Sequence, residues 1–340
     1  MMEKIIDTSI SRNYKEVLKA KEKERWIEAM KIEYDSVMRN DTFLWKRKQK
    51  QDKVLPSKWV FMIKRDVEGE VTRFKTRLCA GGHKQKYRVD FRETYALVAK
   101  FVSLRILLTR AGLENWESEQ GDIVTAFLYG DLEEKVMMKV PEGVYIEDGE
   151  RFIDGEGVER VFDKKTKEEE SQNMVWELKK SIYGLKQSPR CFYNKLDGVM
   201  VKKGYKKVQA DYGVWVHEKG VMIVHVDDML ILGTEGGIGG FKETIEEVFQ
   251  VRWLGQIDNS AFVGLRIKRD RENRRIMISQ DTYALAILKK FGMENANECA
   301  TPMDPKEDWP PKEDSEYLDE AEKKTYQAAI GSLIYLMLGS

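Results

Sequence analysis

The sequence has few of the residues that build disulfide-bonded or zinc-binding domains. Its 340 residues include three cysteines and three histidines, and Cys79, Cys191 and Cys299 lie more than 100 residues apart. This spacing excludes a CxxC pair and a cysteine–histidine cluster of the kind that binds zinc. We expect the cysteines to be small buried thiols in a reducing compartment.

The chain also lacks a long apolar run. No apolar stretch reaches about 18 residues, the minimum for a membrane-spanning helix, and the N-terminus lacks the apolar region of a secretory signal. We therefore expect an intracellular protein with no membrane partner. The seven prolines and the aromatic fraction of 10% argue against a disordered or collagen-like chain.

Net charge of either sign is absent, because 58 basic residues balance 58 acidic ones. The charges are nevertheless segregated. Basic residues outnumber acidic ones by nine to three in 58–88 and by nine to one in 178–209, whereas acidic residues dominate in 141–171 and 305–323. The two basic stretches are compatible with a phosphate-binding surface, although such runs also occur as solvated faces.

Hydrophobic periodicity and turn residues predict alternating helices and strands. The predicted helices cover 23–39, 103–111 (capped by Ser103), 125–129, 188–203, 241–249 and 282–291. The predicted strands cover 58–65, 70–80, 115–123, 212–217, 221–226, 229–232, 261–269 and 275–279. The remaining predictions are a turn at 66–69, a surface insertion at 141–171 and a linker at 302–316. This order is typical of an α+β domain whose antiparallel sheet is covered by helices on one face.

Two adjacent carboxylates interrupt the most apolar part of the sequence. Asp227 and Asp228 lie at a predicted tight turn between two apolar strands, and Asp122 ends another predicted strand. If these strands are neighbours in one sheet, the three carboxylates converge at one edge, and such a set suits Mg²⁺. Two such ions would activate an attacking hydroxyl and stabilise a leaving pyrophosphate.

Two other interpretations of these carboxylates remain open. Aspartate favours turns, so Asp227 and Asp228 are also compatible with an exposed hairpin turn. A generic metal-dependent phosphotransferase or nuclease would use the same three carboxylates. The sequence contains neither a glycine-rich phosphate loop (GxxxxGKS or GxxxxGKT) nor a recognisable histidine-based catalytic motif, which argues against that class.

Seven blocks of the sequence, in order from Trp26 to Ser340, carry a resemblance to a known family. They are WIEAMKIEYDSV, KWVFMIKRDVEGEVTRFKTRLCAGG, QGDIVTAFLYGDLEEKVMM, ELKKSIYGLKQSPRCFYNKL, the Val-Asp-Asp turn, AFVGLRIKRD and YQAAIGSLIYLMLGS. Each block alone is weak, but their order and spacing together are specific. The chain resembles the reverse transcriptase region of copia-type (Pseudoviridae) LTR retrotransposon pol polyproteins.

The resemblance implies the right-hand polymerase fold, an α+β fold with fingers, a ferredoxin-like palm containing an antiparallel sheet, and a thumb. The implied divisions are an N-terminal helical segment at 1–53, fingers at 54–120, palm at 121–235 with the acidic insertion 141–171 and a second fingers segment at 176–205, palm end and thumb at 236–300, and a linker with the start of a truncated connection region at 301–340.

The implied activity is that of an RNA-directed DNA polymerase, which adds dNTPs to a primer 3′-OH by two-metal phosphoryl transfer. Asp122, Asp227 and Asp228 match the family's catalytic, metal-binding carboxylates. The implied cofactor is a pair of Mg²⁺ ions, with Mn²⁺ as a substitute, and the implied partners are an RNA template, a DNA primer or RNA–DNA hybrid, and dNTPs. Because neighbouring residues of a strand point to opposite faces, we rank Asp122 and Asp227 as the firmer ligands and Asp228 as auxiliary.

Further residues match the family's substrate contacts. Lys75 and Arg77 match fingers residues that grip the triphosphate, and Phe127 falls at the aromatic steric gate against a ribose 2′-OH. The block that packs against nucleotide and template contains Tyr183, Gly184, Lys186, Gln187 and Pro189, and the primer grip corresponds to Phe262, Val263 and Gly264. Without the resemblance, Lys75 and Arg77 are exposed bases on a hairpin, and Phe127 and the Phe-Val-Gly strand are ordinary core.

The sequence departs from the family at two points. His225 stands where the family usually has tyrosine, and the chain stops at Gly339-Ser340, where the family continues into connection and RNase H regions. We therefore expect a truncated pol fragment, and a catalytically inactive remnant that still binds nucleic acid is an alternative. The family implies cytoplasmic particles, followed by nuclear integration of the product.

Overall fold

The computed structural model describes residues 13–65, 70–96, 98–144, 146, 149–163, 173–301 and 318–339. The α-helices are α1 (Tyr14–Val17), α2 (Lys23–Arg39), α3 (Phe101–Leu113), α4 (Ser188–Lys202), α5 (Glu235–Glu246), α6 (Asp281–Lys290) and α7 (Glu320–Gly339). Short 3-10 helices cover Gly82–Lys84 and Ala126–Tyr129. In this part of the chain, no helix combines the length and apolar character that crossing a membrane requires.

The strands complete the mixed α+β architecture that the sequence predicts. They are β1 (Phe43–Arg47), β2 (Val54–Leu55), β3 (Ser57–Arg65), β4 (Val71–Ala80), β5 (Glu117–Ile123), β6 (Asp131–Lys139), β7 (Arg151–Ile153), β8 (Glu159–Val161), β9 (Met174–Lys180), β10 (Lys206–Val208), β11 (Asp211–His217), β12 (Gly220–His225), β13 (Asp228–Gly233), β14 (Val251–Gly255), β15 (Asn259–Phe262), β16 (Leu265–Asp270) and β17 (Arg275–Ser279).

The β3–β4 hairpin is covered by α2, which is the amphipathic helix predicted at 23–39. Trp26 of α2 packs edge-on against Phe61 and Phe74, with ring centroids 5.3 Å and 4.5 Å away. A carboxylate also joins the two elements, because the Leu78 backbone N–H donates to Glu33 Oε1 at 3.1 Å. These contacts fix the hairpin on its helix, and β4 carries the basic residues of the site described below.

The first sheet has the order β2-β6-β9-β1-β7-β8 and is built around aromatic side chains. Trp176 is fully buried and stacks on Phe43, with 3.7 Å between ring centroids. Two sequence predictions are wrong here. The range 1–53, predicted to be helical, also contains β1, and 141–171, predicted to be a surface insertion, supplies β7 and β8 and buries Phe152 and Phe162 in this core. Isolated aromatics in acidic surroundings carry no periodic signal, so local pattern misses them.

The second sheet, in the order β10-β11-β12-β13-β5-β14, is antiparallel and apolar on both faces. One face packs against α4 and α5 through residues such as Leu196 and Phe241. The other packs against α3 and the three-stranded sheet β15-β16-β17 through residues such as Leu104 and Phe262. The prediction that helices cover only one face of this sheet is therefore wrong. The apolar residues of β12 and β13 form continuous runs without alternation, as expected for a sheet that is buried on both faces.

Three element boundaries differ from the sequence prediction for identifiable reasons. Helix α3 begins before Ser103, and Lys100 is its N-cap residue. Helix α5 begins at Glu235, capped by Thr234, although four glycines follow; a Cβ at Gly237 would lie 2.2 Å from the Lys219 carbonyl oxygen. The predicted strand 261–269 is divided into β15 and β16 by a turn at 263–264. The predicted turn 66–69 and linker 302–316 lie outside the described residues.

Candidate active site

Strand pairing in the second sheet brings Asp122, Asp227 and Asp228 together; we call these three residues the acid cluster. Asp122 near the end of β5 lies directly opposite Asp228, the first residue of β13. His225 lies opposite Asp228 on the other side, so Val226 and Asp227 form a two-residue turn. The Ile123 N–H donates to the Asp227 carbonyl oxygen at 2.9 Å, which ties the turn to β5.

The turn at 226–227 has an unusual backbone. Val226 has a φ of +61°, a left-handed conformation that β-branched residues rarely adopt. Such strain persists only where the surrounding structure enforces it. Since Asp227 lies in this turn and Asp228 shares a face with Asp122, strand alternation does not rank Asp227 above Asp228, and that argument from the sequence was wrong.

Two carboxylates of the acid cluster, those of Asp227 and Asp228, have raised pKa values because they are partly buried and lie near other negative charges. Burial, followed by the charges of Asp227 and Asp122, raises the pKa of Asp228 to about 6. Burial and the charge of Asp122 also raise the pKa of Asp227, against the opposing charges of Arg77 and Lys75. A carboxylate set with this shortage of positive charge fits the donor chemistry of a hard divalent cation.

The side chains are not arranged as a ready metal-binding set. The Asp122 carboxylate accepts a hydrogen bond from Arg252 of β14, with 2.5 Å between Nη2 and Oδ2. Within the described ranges, no group of three or more histidine, cysteine, aspartate or glutamate side chains is placed to hold a metal ion. The donor types fit divalent cations, but their use requires the carboxylates to reorient.

Lys75 and Arg77 of β4 face the acid cluster from the hairpin. Both side chains are half-buried, and the Arg77 guanidinium carbon lies 4.6 Å from the centroid of the Tyr183 ring. Burial and the neighbouring charge of Arg77 lower the pKa of Lys75. The Arg77 Nε atom is buried and has no hydrogen-bond partner in the part of the chain that the structure describes.

Two aromatic rings lie near both the basic residues of β4 and the acid cluster. Phe127, on the 3-10 helix after β5, packs edge-on against Tyr183, with 4.9 Å between ring centroids. Burial raises the pKa of Tyr183 to about 12, and the charges of Asp227 and Asp122 add to the shift. The residues predicted separately from the sequence at positions 75, 77, 122, 127, 183 and 227 therefore lie in one neighbourhood.

Glycine packing fixes the segment that carries Tyr183. The Ala80 N–H donates to the Tyr183 carbonyl oxygen at 2.7 Å. Gly184 has a φ of +91°, and a Cβ there would lie 2.2 Å from the Ala80 carbonyl oxygen. A Cβ at Gly82 would likewise lie 2.0 Å from the Gly184 carbonyl oxygen. The two backbones can approach only because both positions are glycine.

The rest of this segment is placed differently from Tyr183. Gln187 is 2% exposed, and its amide accepts from Gln85 Nε2 at 2.9 Å and donates to the Asp90 carbonyl oxygen at 2.8 Å. Lys186 is exposed, with Nζ 4.8 Å from the centroid of the Phe91 ring, and Pro189 lies in the first turn of α4. A nucleotide contact by Gln187 or Lys186 stays a prediction, and Gln187 has a structural role that local pattern did not indicate.

Phe262, Val263 and Gly264 form the turn region between β15 and β16. Phe262 is 1% exposed, whereas Val263 and Gly264 have φ values of +49° and +76°. Tyr335 of α7 donates a hydrogen bond to the Val263 carbonyl oxygen at 3.0 Å. Phe262 and Val263 also line a small cavity beside His225, so this turn lies close to the turn that carries Asp227.

Arg252 and Tyr335 are the contacts that sequence reasoning missed. Arg252 reaches Asp122 because β14 pairs with β5, and Tyr335 reaches Val263 from a helix about 70 positions further along the chain. Neither pairing has a local signal, because hydrophobic periodicity identifies elements but not their partners.

Comparison with known proteins places this site in a family. A family model described as reverse transcriptase (RNA-dependent DNA polymerase) matches residues 40–155 and 150–305. The chain is 34% identical to the retrovirus-related Pol polyprotein from transposon TNT 1-94 of Nicotiana tabacum, across 98% of this chain and 24% of the relative. It is 30% identical to the corresponding polyprotein from transposon RE1 of Arabidopsis thaliana, across 94% of this chain and 20% of the relative.

A more distant relative is the transposon Ty1-DR5 Gag-Pol polyprotein of Saccharomyces cerevisiae, which is 26% identical across 81% of this chain and 14% of its own length. The chain thus spans about a quarter or less of the length of these relatives. The matched residues include β4, the acid cluster and the 262–264 turn. The chain belongs to the reverse transcriptase (RNA-dependent DNA polymerase) family, as a domain of the kind found in copia-type retrotransposon Pol polyproteins.

Proposed function

We propose that this chain is an RNA-directed DNA polymerase that adds dNTPs to a primer 3′-OH on an RNA template. The observation that carries the proposal is the convergence of the acid cluster with Arg77 and Tyr183. Phosphoryl transfer needs little covalent chemistry from the protein and depends on positioning and on stabilising charge. A site with carboxylates on one side and cations on the other suits that requirement.

Asp122, Asp227 and Asp228 would hold two Mg²⁺ ions, or Mn²⁺ in their place. When bound, such ions activate the attacking hydroxyl and stabilise the leaving pyrophosphate. The raised pKa values of Asp227 and Asp228 support this assignment, because they indicate carboxylates that lack compensating positive charge. The three aspartates would present oxygen donors from two adjacent strands and from the turn between β12 and β13.

Lys75 and Arg77 would bind the triphosphate of the incoming nucleotide. The unpartnered Nε of Arg77 supports this role, since a buried donor without a partner is energetically costly until an acceptor arrives. Both charges act on Asp227, so a triphosphate held by them would lie beside the carboxylates. Cations fixed in this position stabilise the negative charge that develops on the phosphate oxygens.

We also propose roles for the larger parts of the fold. The β3–β4 hairpin with α2 would be the fingers, the second sheet the palm, and β15–β17 with α6 the thumb, with a primer grip at 262–264. The basic stretches 58–88 and 178–209 would contact the RNA template and the primer. Location in cytoplasmic particles, with later entry into the nucleus, is part of the same proposal.

A nucleic-acid-binding protein without polymerase activity is the second candidate. Two observations favour it: Arg252 already engages Asp122, and His225 lies directly opposite Asp228. Burial lowers the pKa of His225, which favours the neutral ring beside the carboxylates. A neutral His225 ring supplies no positive charge to the acid cluster.

Primer extension on poly(rA)/oligo(dT) with Mg²⁺ and dTTP separates the two candidates. We expect extension by the wild-type chain and a loss of about 100-fold or more in Asp227→Asn, because a charge-stabilising group is removed from the reacting centre. Glu218→Gln, which neutralises an exposed carboxylate in the turn between β11 and β12, is the matched control and should extend normally.

Binding of the same hybrid is measured in parallel. Hybrid binding without extension by the folded wild-type chain would contradict the polymerase proposal and support the second candidate. In that event, rescue by His225→Tyr would locate the defect at the turn. Joint loss of extension and binding in Asp227→Asn would instead indicate unfolding.

A further inference from the structure

An arginine reaches the acid cluster from the edge strand of the second sheet. Strand β14 pairs with β5 on the side away from β13, and Arg252 lies directly opposite Asp122. Asp228 lies opposite Asp122 on the other side. Because directly opposed residues of antiparallel strands share a face, Arg252, Asp122 and Asp228 form one row across three strands.

The contact is a direct ion pair between half-exposed and partly buried groups. Arg252 Nη2 lies 2.5 Å from Asp122 Oδ2, and the side chains are 56% and 26% exposed, respectively. Of the ion pairs between described residues, this is the one that involves a carboxylate of the acid cluster. Arginine keeps its charge throughout the working pH range.

We propose that Arg252 competes with a divalent cation for the Asp122 carboxylate and thereby sets the metal affinity of the acid cluster. This inference rests on the proposed function, because it takes the acid cluster as the metal site. A guanidinium and a divalent cation that share one carboxylate repel each other, and each reduces the negative charge available to the other. Since Arg252 is half-exposed, its guanidinium can move into water when a metal ion takes the carboxylate.

The size of the effect follows from the exposure of the pair. Exposed ion pairs contribute little, so removing Arg252 should tighten metal binding by about two- to fivefold rather than by orders of magnitude. Arg252→Lys keeps the charge but loses the planar fork that matches a carboxylate, and it should lie between wild type and Arg252→Gln. Arg252 is thus a positioning residue that acts through Asp122.

The test measures Mn²⁺ binding to the free protein by electron paramagnetic resonance, without nucleic acid or nucleotide. Asp122→Asn identifies the binding that depends on the acid cluster. Arg151→Gln is the matched control, because it removes another exposed arginine, 71% exposed and 3.5 Å from Glu159, from the first sheet. We expect a dissociation constant lowered about two- to fivefold in Arg252→Gln and unchanged in Arg151→Gln, with equal melting temperatures as evidence of folding.

An unchanged or weaker Mn²⁺ affinity in Arg252→Gln would overturn the inference, because removing a group that competes for the Asp122 carboxylate must strengthen Mn²⁺ binding. If that result accompanied binding that Asp122→Asn abolishes, the metal site of the proposed function would stand and only the role of Arg252 would fail. If the wild type and Asp122→Asn bound Mn²⁺ equally, the acid cluster would not be the metal site, and both proposals would be contradicted.

Discussion

Phe127 illustrates how a single side chain could select the sugar of the substrate. Its half-buried ring packs edge-on against Tyr183, and Phe127 lies four residues after the end of β5, the strand that carries Asp122. A ring held in this way by a neighbour cannot move aside for an additional hydroxyl without losing that contact. The position therefore suits discrimination against a ribose 2′-OH, provided that the sugar lies between the acid cluster and Tyr183.

Replacing the ring of Phe127 should relax this discrimination. We expect Phe127→Ala to raise the ratio of kcat/KM for UTP to kcat/KM for dTTP by about tenfold or more, which corresponds to about 1.4 kcal/mol. Phe127→Tyr retains the ring and serves as the control, with a ratio near that of the wild type. An unchanged ratio in Phe127→Ala would mean that the ring is only part of the core.

The junction between β4 and the Tyr183 segment depends on glycine at positions 82 and 184. A side chain at position 184 would meet the Ala80 carbonyl oxygen at 2.2 Å and would also require a φ of +91°. Gly198 is the contrasting case: it lies in the middle of α4, and a Cβ there would have no atom within 4 Å.

These two glycines should respond oppositely to alanine. We expect Gly184→Ala to lower the free energy of unfolding by about 2 kcal/mol or more, because a backbone clash and a strained φ act together. Gly198→Ala should raise it by about 0.5–1 kcal/mol through helix propensity. Urea unfolding of both variants measures the difference, and equal effects would contradict the described packing of the segment.

The β7–β8 hairpin depends on a carboxylate within a segment that the sequence suggested was a surface insertion. Asp154 accepts hydrogen bonds from Arg160 Nε at 2.5 Å and from the Glu156 and Val158 N–H groups at 2.9 Å. The Arg160 hydrogen bond, followed by that of Val158, lowers the pKa of Asp154 from 3.8 to about 2.

Asp154→Asn should therefore destabilise the protein in a pH-dependent way. A carboxyl whose pKa is lower in the folded state stabilises the fold above its unfolded pKa, and this stabilisation disappears as the pH falls toward the folded value. We expect the variant to melt below the wild type at pH 7, with a difference that shrinks between about pH 4 and pH 2. Thermal melting at pH 7, 4 and 3 checks this, and a difference independent of pH would show that packing rather than charge is responsible.

Elements with strong local signals were predictable, and their partners were not. The helix at 23–39 and the hairpin at 58–80 follow from periodicity, and their observed bounds differ from the predicted ones by a residue or so. The acid cluster was predicted conditionally, because its assembly required β5 and β13 to be neighbours. Arg252 and Tyr335 were missed, since their contacts arise from pairings between distant parts of the chain.

The position of β5 in the second sheet determines when the site can form. Strand β5 ends at Ile123 and lies between β13 and β14, which cover Asp228–Gly233 and Val251–Gly255. Its two neighbours are therefore synthesised more than 100 residues later. Asp122 is thus among the first residues of the site to be made and among the last to acquire its surroundings.

This order has a consequence for synthesis on the ribosome. Both edges of β5 are unpaired until β13 has emerged, and one edge stays unpaired until residues near Gly255 have emerged. Unpaired strand edges are surfaces through which nascent chains associate wrongly. The first five residues of β5, Glu-Ser-Glu-Gln-Gly, are polar or small rather than apolar. That composition would keep the unpaired strand soluble, so the residues that precede Asp122 would also protect the chain while it is incomplete.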